Sequence, residues 1–199
     1  MKRLPPALIP GLVIAVCAGV IAPHAQDIQS PSNSNLQAGQ SNIGNVGGVT
    51  TPKCVTPTVT TGSSYGANYV VGGKLEFTNL FTSKGSGIIQ SVSVTMKDAE
   101  TSGFKFIPFI SDPSGTTWTD GAAAAIVDAD KTKVRGPIPL NVNTQLGGAF
   151  SIQYAYGIGL AIAPGTTSLF GVLVTDAALS VQFAGASDVQ VCITTLNDL

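Results

Sequence analysis

Side chains able to do chemistry are few in this chain. Only Asp98 with Glu100 and Asp128 with Asp130 stand close enough along the sequence to act as carboxylate pairs. Two carboxylates held roughly 5–10 Å apart across a cleft can divide acid, base and nucleophile roles on a glycosidic bond. The composition therefore does not forbid a glycosidase. Sugar-cleaving sites also draw on aromatic contacts, and the chain offers one Trp, Trp118, and four Tyr. The simpler reading puts both pairs in solvent-facing turns, with Asp120, Asp128 or Asp130 capping a short helix. Asp128-Ala129-Asp130-Lys131 lacks the spaced oxygen ligands and the glycine of an EF-hand loop, so no calcium site is assigned.

Other routes to catalysis close quickly. The one histidine, His24, falls in an N-terminal segment expected to be removed. Histidine is the usual general base and a common metal ligand, and the remaining chain has none. No G-x-S-x-G elbow is present. Tyr156-Gly157-Ile158-Gly159 is not followed by Lys-Ser/Thr or by a helical pattern, so phosphate cradling is unsupported. No C-x-x-C or Cys/His spacing suggests zinc. The sequence thus assigns no catalytic, cofactor-binding or metal-binding residue, and the expectation is a protein that is not an enzyme.

Charge excludes another class. Of 199 residues only 11% are charged, against about 25% for an average soluble domain, and the net charge is −1. With eight Lys and two Arg scattered along the chain, there is no basic face to neutralise a phosphate backbone. Nucleic acid is not an expected partner.

Residues 1–25 read as a signal-like segment. Lys2 and Arg3 precede a 16-residue uncharged run, Ala7 to Ala22, and Ala22-Pro23-His24-Ala25 supplies small residues before Gln26. A basic start, an apolar middle and a small-residue exit describe a secretory signal. The run is shorter than the roughly 20 residues of a spanning helix. Membrane attachment would arise only through this segment, if it stays uncleaved. Its removal leaves eight basic and eleven acidic residues, a net charge of −3. Residues 26–53 are rich in Ser, Asn, Gln and Gly. Such a composition cannot bury enough surface to offset ordering entropy, so it reads as a flexible leader, or as an arm that orders only against a partner subunit.

From residue 54 to 199 the period of the apolar residues is two. Leu75 and Phe77 alternate with polar residues, as do Val92, Val94 and Met96, and likewise Val189, Val191 and Ile193. Each pattern is that of a half-buried strand. Phe150, Ile152 and Tyr154 alternate with Ser151, Gln153 and Ala155 in the same way. Phe104 to Ile110 and Leu169 to Val174 are apolar on both faces. They fit central strands covered on two sides, or strands at a subunit contact. Val134 to Val142 carries Pro137 and Pro139, which confine it to an edge or bulge. Gly72-Gly73, Gly85-Ser86-Gly87, Asp112 to Gly115, Gly147-Gly148 and Ala163-Pro164-Gly165 read as turns. Only Asp120 to Lys133 has helical character. Seven to nine short strands with one short helix indicate an all-β antiparallel sandwich, of jelly-roll or related Greek-key winding.

Cys54 and Cys192 remain after removal of Cys17 with the signal-like segment. Cys192 is out of phase with Val189, Val191 and Ile193, on the polar face of its strand. An unpaired thiol behaves as a small buried hydrophobe, so this placement favours a bridge to Cys54 over two free thiols. First and last strands commonly lie close together.

Between Tyr65 and Ile138 an ordered string of residues carries a resemblance. It runs Tyr65-Gly66-Ala67, Val70 to Asn79, Gly85-Ser86-Gly87-Ile88-Ile89, Phe109 to Pro113, Thr117 to Ala123, Asp128-Ala129-Asp130 and Gly136-Pro137-Ile138. About 75 of the 199 residues are covered, and the string resembles a family of small bacteriophage virion structural proteins. The resemblance implies a non-enzymatic β-sandwich subunit of a head or tail, a decoration or minor structural protein. Its partners would be identical subunits or other virion proteins. Phe109, Leu173 and Trp118 are the interface candidates, the first two on two-faced strands and Trp118 in a polar loop. A signal-like segment departs from the family, because virion proteins assemble in the cytoplasm. The expected location is therefore a virion or, alternatively, outside the cell after signal cleavage. The alternative function is an exported adhesion or carbohydrate-binding sandwich, with a glycan as ligand.

Overall fold

Alternating Val, Leu, Ile and Phe place one face of β2, β3 and β9 in the core, and turn residues end the runs. The computed structural model describes residues 51–197 apart from 84, 180 and 181. The signal-like segment and all but the last three residues of the 26–53 arm lie outside the described residues. The strands are β1 Thr51–Val55, β2 Val70–Phe77, β3 Gly87–Met96, β4 Phe104–Phe109, β5 Ile138–Leu140, β6 Val142–Gln145, β7 Ser151–Ile162, β8 Leu169–Thr175 and β9 Val189–Asn197. The short helix α1 is Asp128–Lys131. Strand pairing thus begins at Thr51, three residues ahead of the expected domain start.

Two sheets form, one ordered β1-β9-β3-β7-β6 and the other β2-β8-β4-β5, and every pairing is antiparallel. With the short β6 set aside as an addition to the edge of β7, the other eight strands nest. First pairs with last, second with second-last, third with third-last, and the fourth with the fifth. That nesting is the jelly roll, a long hairpin folded over into two packed sheets. The fold is the all-β sandwich that the alternation indicates.

The core lies between the sheets. Leu75, Phe77, Val92, Val94, Met96, Phe104, Phe106, Leu173, Val191 and Ile193 are all buried in it. Phe77 and Phe106 meet edge to face at 5.8 Å. Gly171 of β8 makes room for this contact, since a Cβ there would stand 2.1 Å from the Phe106 ring.

A second apolar layer covers the outside of the four-stranded sheet. Val70, Phe109, Val172 and Val174 are buried there beneath Trp118, Ala124, Ile126 and Val134. The last four belong to the long connection between β4 and β5. The chain itself therefore covers both faces of β4 and β8, the first of the two readings open to those strands.

Three local expectations change. Gly72-Gly73 does not reverse the chain; it is a bulge inside β2, where Val71 pairs with Leu173 and Lys74 with Val172. Gly72 has φ +74°, and a Cβ on it would meet Pro57 at 2.1 Å, so only glycine fits. The helix is one turn, capped at Val127 without a side-chain bond, so none of Asp120, Asp128 and Asp130 is its N-cap. The third change is the phase of β7. Its Gln153 pairs with buried Val94 and its Ser151 with buried Met96, and both are 0% exposed. Directly opposed residues share a face, so the polar set of β7 points inward and Ile152, Tyr154 and Tyr156 point out.

Candidate functional site

Asp98 and Glu100 sit in the connection between β3 and β4, which tucks over one end of the sandwich. The inward polar residues of β6 and β7 hold it there. Ser151 Oγ donates to the Asp98 carbonyl at 2.7 Å and accepts from Glu100 N at 3.3 Å. Gln153 Nε2 donates to the Ser102 carbonyl at 2.6 Å, and Asn143 Nδ2 to the Glu100 carbonyl at 2.9 Å. Glu100 is 0% exposed, and its Oε1 accepts from Ser102 N at 2.6 Å. The expected solvent-facing turn is therefore corrected for Glu100. The connection carries backbone carbonyls that need donors, and this need turns β7 over.

Asp98 is held above the usual carboxylate range, first by burial and then by the charges of Asp188 and Glu100. Asp188 is nearly buried, pairs with Lys97 at 3.3 Å and accepts from Gly185 N. A cleft of about 210 Å³ opens beside it, lined by Thr95, Lys97, Phe150, Asp188 and Gln190 but not by Asp98 or Glu100. The pair therefore does not line this cleft.

The second pair also separates. Asp128 is exposed and forms an ion pair with Lys131. Asp130 is 0% exposed and pairs with Lys133 at 2.7 Å, which corrects the solvent-facing expectation for this residue. The hydrogen bond from Lys133, aided by Thr116, holds its carboxyl below the usual range. Asp120 proves to be the organising carboxylate. Its Oδ2 accepts from Tyr65 OH and from Thr60 N, each at 2.6 Å, and its Oδ1 accepts from Gly72 N at 2.6 Å. Burial, with Asp120 alongside, pushes the Tyr65 hydroxyl above its ordinary value. The sequence marked Asp120 only as a candidate helix cap, a local role that gave no sign of these distant donors.

Cys54 and Cys192 form a disulfide, and they are direct cross-strand partners on β1 and β9. Phe109 and Leu173 are both 0% exposed, Leu173 in the inner core and Phe109 in the outer layer, so neither offers surface. Trp118 is half-buried. Its Nε1 donates to the Pro113 carbonyl at 3.0 Å and its ring meets Phe109 edge to face at 5.5 Å. All three interface candidates serve the domain's own packing.

Two open clefts of about 400 Å³ each share Arg135. One runs along Pro137, Ile138, Pro139, Ile158 and Leu160; the other along Ser86, Ile88, Ile110 and Ala161. Among the described residues, no group of three His, Cys, Asp or Glu is placed to hold a metal ion, and no helix is long and apolar enough to cross a membrane.

The outer face of the five-stranded sheet is different in kind. Ser91, Ser93 and Thr95 of β3 stand beside Tyr156, Tyr154 and Ile152 of β7. Beyond them lie Val142 and Thr144 of β6. On the other side are Thr194, Cys192 and Gln190 of β9, then Pro52 and Cys54 of β1. Tyr154 and Tyr156 stack at 5.4 Å with 25° between their planes, and Tyr156 is 70% exposed. None of these strand positions carries a formal charge. No family model, curated protein or solved structure matches the chain.

Proposed function

We propose that the chain is a non-enzymatic structural subunit that works through assembly, in the virion setting implied by the family resemblance. The observation that carries this reading is the contrast between its carboxylates and its surface. Glu100, Asp120 and Asp130 are engaged with backbone groups, Tyr65 and Lys133, while one whole sheet face is uncharged and displays tyrosines. Groups committed to holding loops are poorly free to change protonation during turnover. The jelly roll is shared by capsid subunits, lectins and cupins, so the fold is compatible with this function without selecting it.

The test is to look for the chain in particles. Phage particles banded from the native source are expected to contain it at a fixed ratio to the major capsid protein, by quantitative mass spectrometry. Recovery only as free protein in the medium overturns the virion reading. The disulfide favours a second reading, an exported adhesion or carbohydrate-binding sandwich, because such bonds persist in oxidising compartments. A glycan array with the purified protein separates the two.

A further inference from the structure

Independently of the assembly reading, we propose that the side opening between β5 and β7 binds an extended peptide whose apolar side chains flank a carboxylate. The opening exists because β6 is short. Among the described residues β6 pairs with Ser151 to Tyr154, while β7 runs on to Ile162. Over that second half β7 has β3 on one side and, among the described residues, no strand on the other. The two clefts of about 400 Å³ lie along this edge and share Arg135.

Three features of the opening each ask for one property of the occupant. The first is an apolar wall. Ala155, Ile158 and Leu160 of β7, with Ile110, pack against the inner core while only partly buried, and they also line the clefts. Pro137, Ile138 and Pro139 line the opposite side. Cavities of this volume and lining take apolar groups.

The second feature is a single charge. Arg135 is the one charged residue lining the clefts, and it forms no ion pair among the described residues. Its Nη1 donates to the Val134 and Thr132 carbonyls at 3.1 and 3.5 Å. Its Nε and Nη2 have no acceptor among the described residues. That edge of a guanidinium takes a carboxylate through two parallel bonds.

The third feature is an unpaired strand edge. Leu160, Ala161 and Ile162 pair with Ile89, Ile88 and Gly87 on one side, and the other side presents backbone groups to the opening. Such an edge is completed by a further strand. Gly157 and Gly159, both at positive φ, form a bulge opposite Gln90 that ends the ladder there. The facing wall carries Pro137 and Pro139, which have no N–H, so the ladder belongs to β7.

These demands select a peptide. A fatty carboxylate satisfies the wall and the guanidinium but leaves the strand edge bare. A sugar finds no aromatic ring among the cleft residues, and a polynucleotide needs more than one cation. An extended segment of the pattern apolar-x-acid-x-apolar meets all three, because alternate residues of a strand share a face. Its carboxylate reaches Arg135, and its outer side chains enter the two clefts.

The test is calorimetric titration of the full chain, produced in an oxidising compartment. The probes are blocked heptapeptides with Asp at the centre, Val, Ile, Leu or Phe two residues to either side, and Thr elsewhere. The tightest is expected to bind with a dissociation constant below about 1 mM. Its central Asn analogue is expected to bind about tenfold more weakly, and Arg135→Gln to weaken the Asp peptide as much. Lys131→Gln removes an exposed cation from α1 and leaves binding unchanged. A cooperative melt is verified for both variants. N-methylation along one edge of the peptide is expected to weaken binding about tenfold, and along the other edge not at all. Failure of every peptide to bind at millimolar concentration overturns the proposal, as does binding indifferent to Arg135→Gln. Decanoate that displaces the peptide and binds as tightly, with N-methylation without effect on either edge, identifies a site for small amphiphiles and also overturns it. The particle experiment is decided separately from all of these outcomes.

Discussion

Asp120 gathers three donors from separate stretches: Thr60 ahead of β2, Tyr65 beside it, and Gly72 in the β2 bulge. Removing this acceptor takes it from the Tyr65 hydroxyl and Gly72 N, while Thr60 N keeps the Tyr65 hydroxyl at 3.1 Å. Asp120→Ala is expected to lower unfolding free energy by about 2–4 kcal/mol, given the strength of bonds to charged acceptors, with a matching drop in urea midpoint. Asp128→Asn removes only an exposed ion pair and should leave the midpoint unchanged within error. Asp98 behaves in the opposite sense. Its carboxyl titrates above the ordinary aspartate range because it is partly buried, near Asp188 and Glu100. The native state thus binds its proton more tightly than the unfolded chain. The cost of the charged form is absent below about pH 4, grows as pH rises through the raised pKa, and is complete above it. Asp98→Asn is therefore expected to raise the melting temperature at pH 7, with the gain vanishing at pH 3.5. Equal gains at both pH values would contradict this assignment.

At the scale of elements, β7 is the strand whose behaviour departs most from its pattern. Its inward Ser151 and Gln153 bond the 98–102 connection, while its apolar residues face out. Gln153→Ala leaves the Ser102 carbonyl without this donor in a buried setting. It is expected to cost about 1–3 kcal/mol in chemical denaturation. Tyr156→Ser, on the outer face, should change monomer stability by less than about 0.5 kcal/mol. A strand with the opposite phase would reverse that order. The β4–β5 connection is the other element with a clear structural task. By covering Phe109 and Val172 it converts a two-faced sheet into one buried on both sides.

For the whole molecule, the bond between Cys54 and Cys192 ties the first strand to the last across a sequence separation of 138. Closing so long a loop restricts the unfolded chain more than the folded one, in which β1 and β9 are already paired. Cys192→Ser is expected to lower stability by about 2–5 kcal/mol, and reduction of the wild type should bring it to the same urea midpoint. Two freely alkylated thiols in protein isolated under oxidising conditions would remove the basis of that expectation.

Much of this architecture was legible along the chain. Period-two runs located β2, β3 and β9 with their buried faces, because Leu75, Val92 and Val191 each have polar neighbours with no inward partner to seek. The out-of-phase position of Cys192 exposed its sulfur on the polar face and so pointed to a bridge. The two prolines placed β5 at an edge, where a missing N–H costs no ladder bond. Tertiary structure decided the rest. Alternation shows which residues share a face, but not which face turns inward when both are mixed. In β7 that choice rests on Ser151 reaching the Asp98 carbonyl, 53 residues away, and on Gln153 reaching Ser102. The same holds for Asp120, whose three donors are distant in sequence, and for Phe109, whose outer cover comes from residues up to Val134. Local pattern could not reveal these partners, because long-range contacts form only once the sheets have closed.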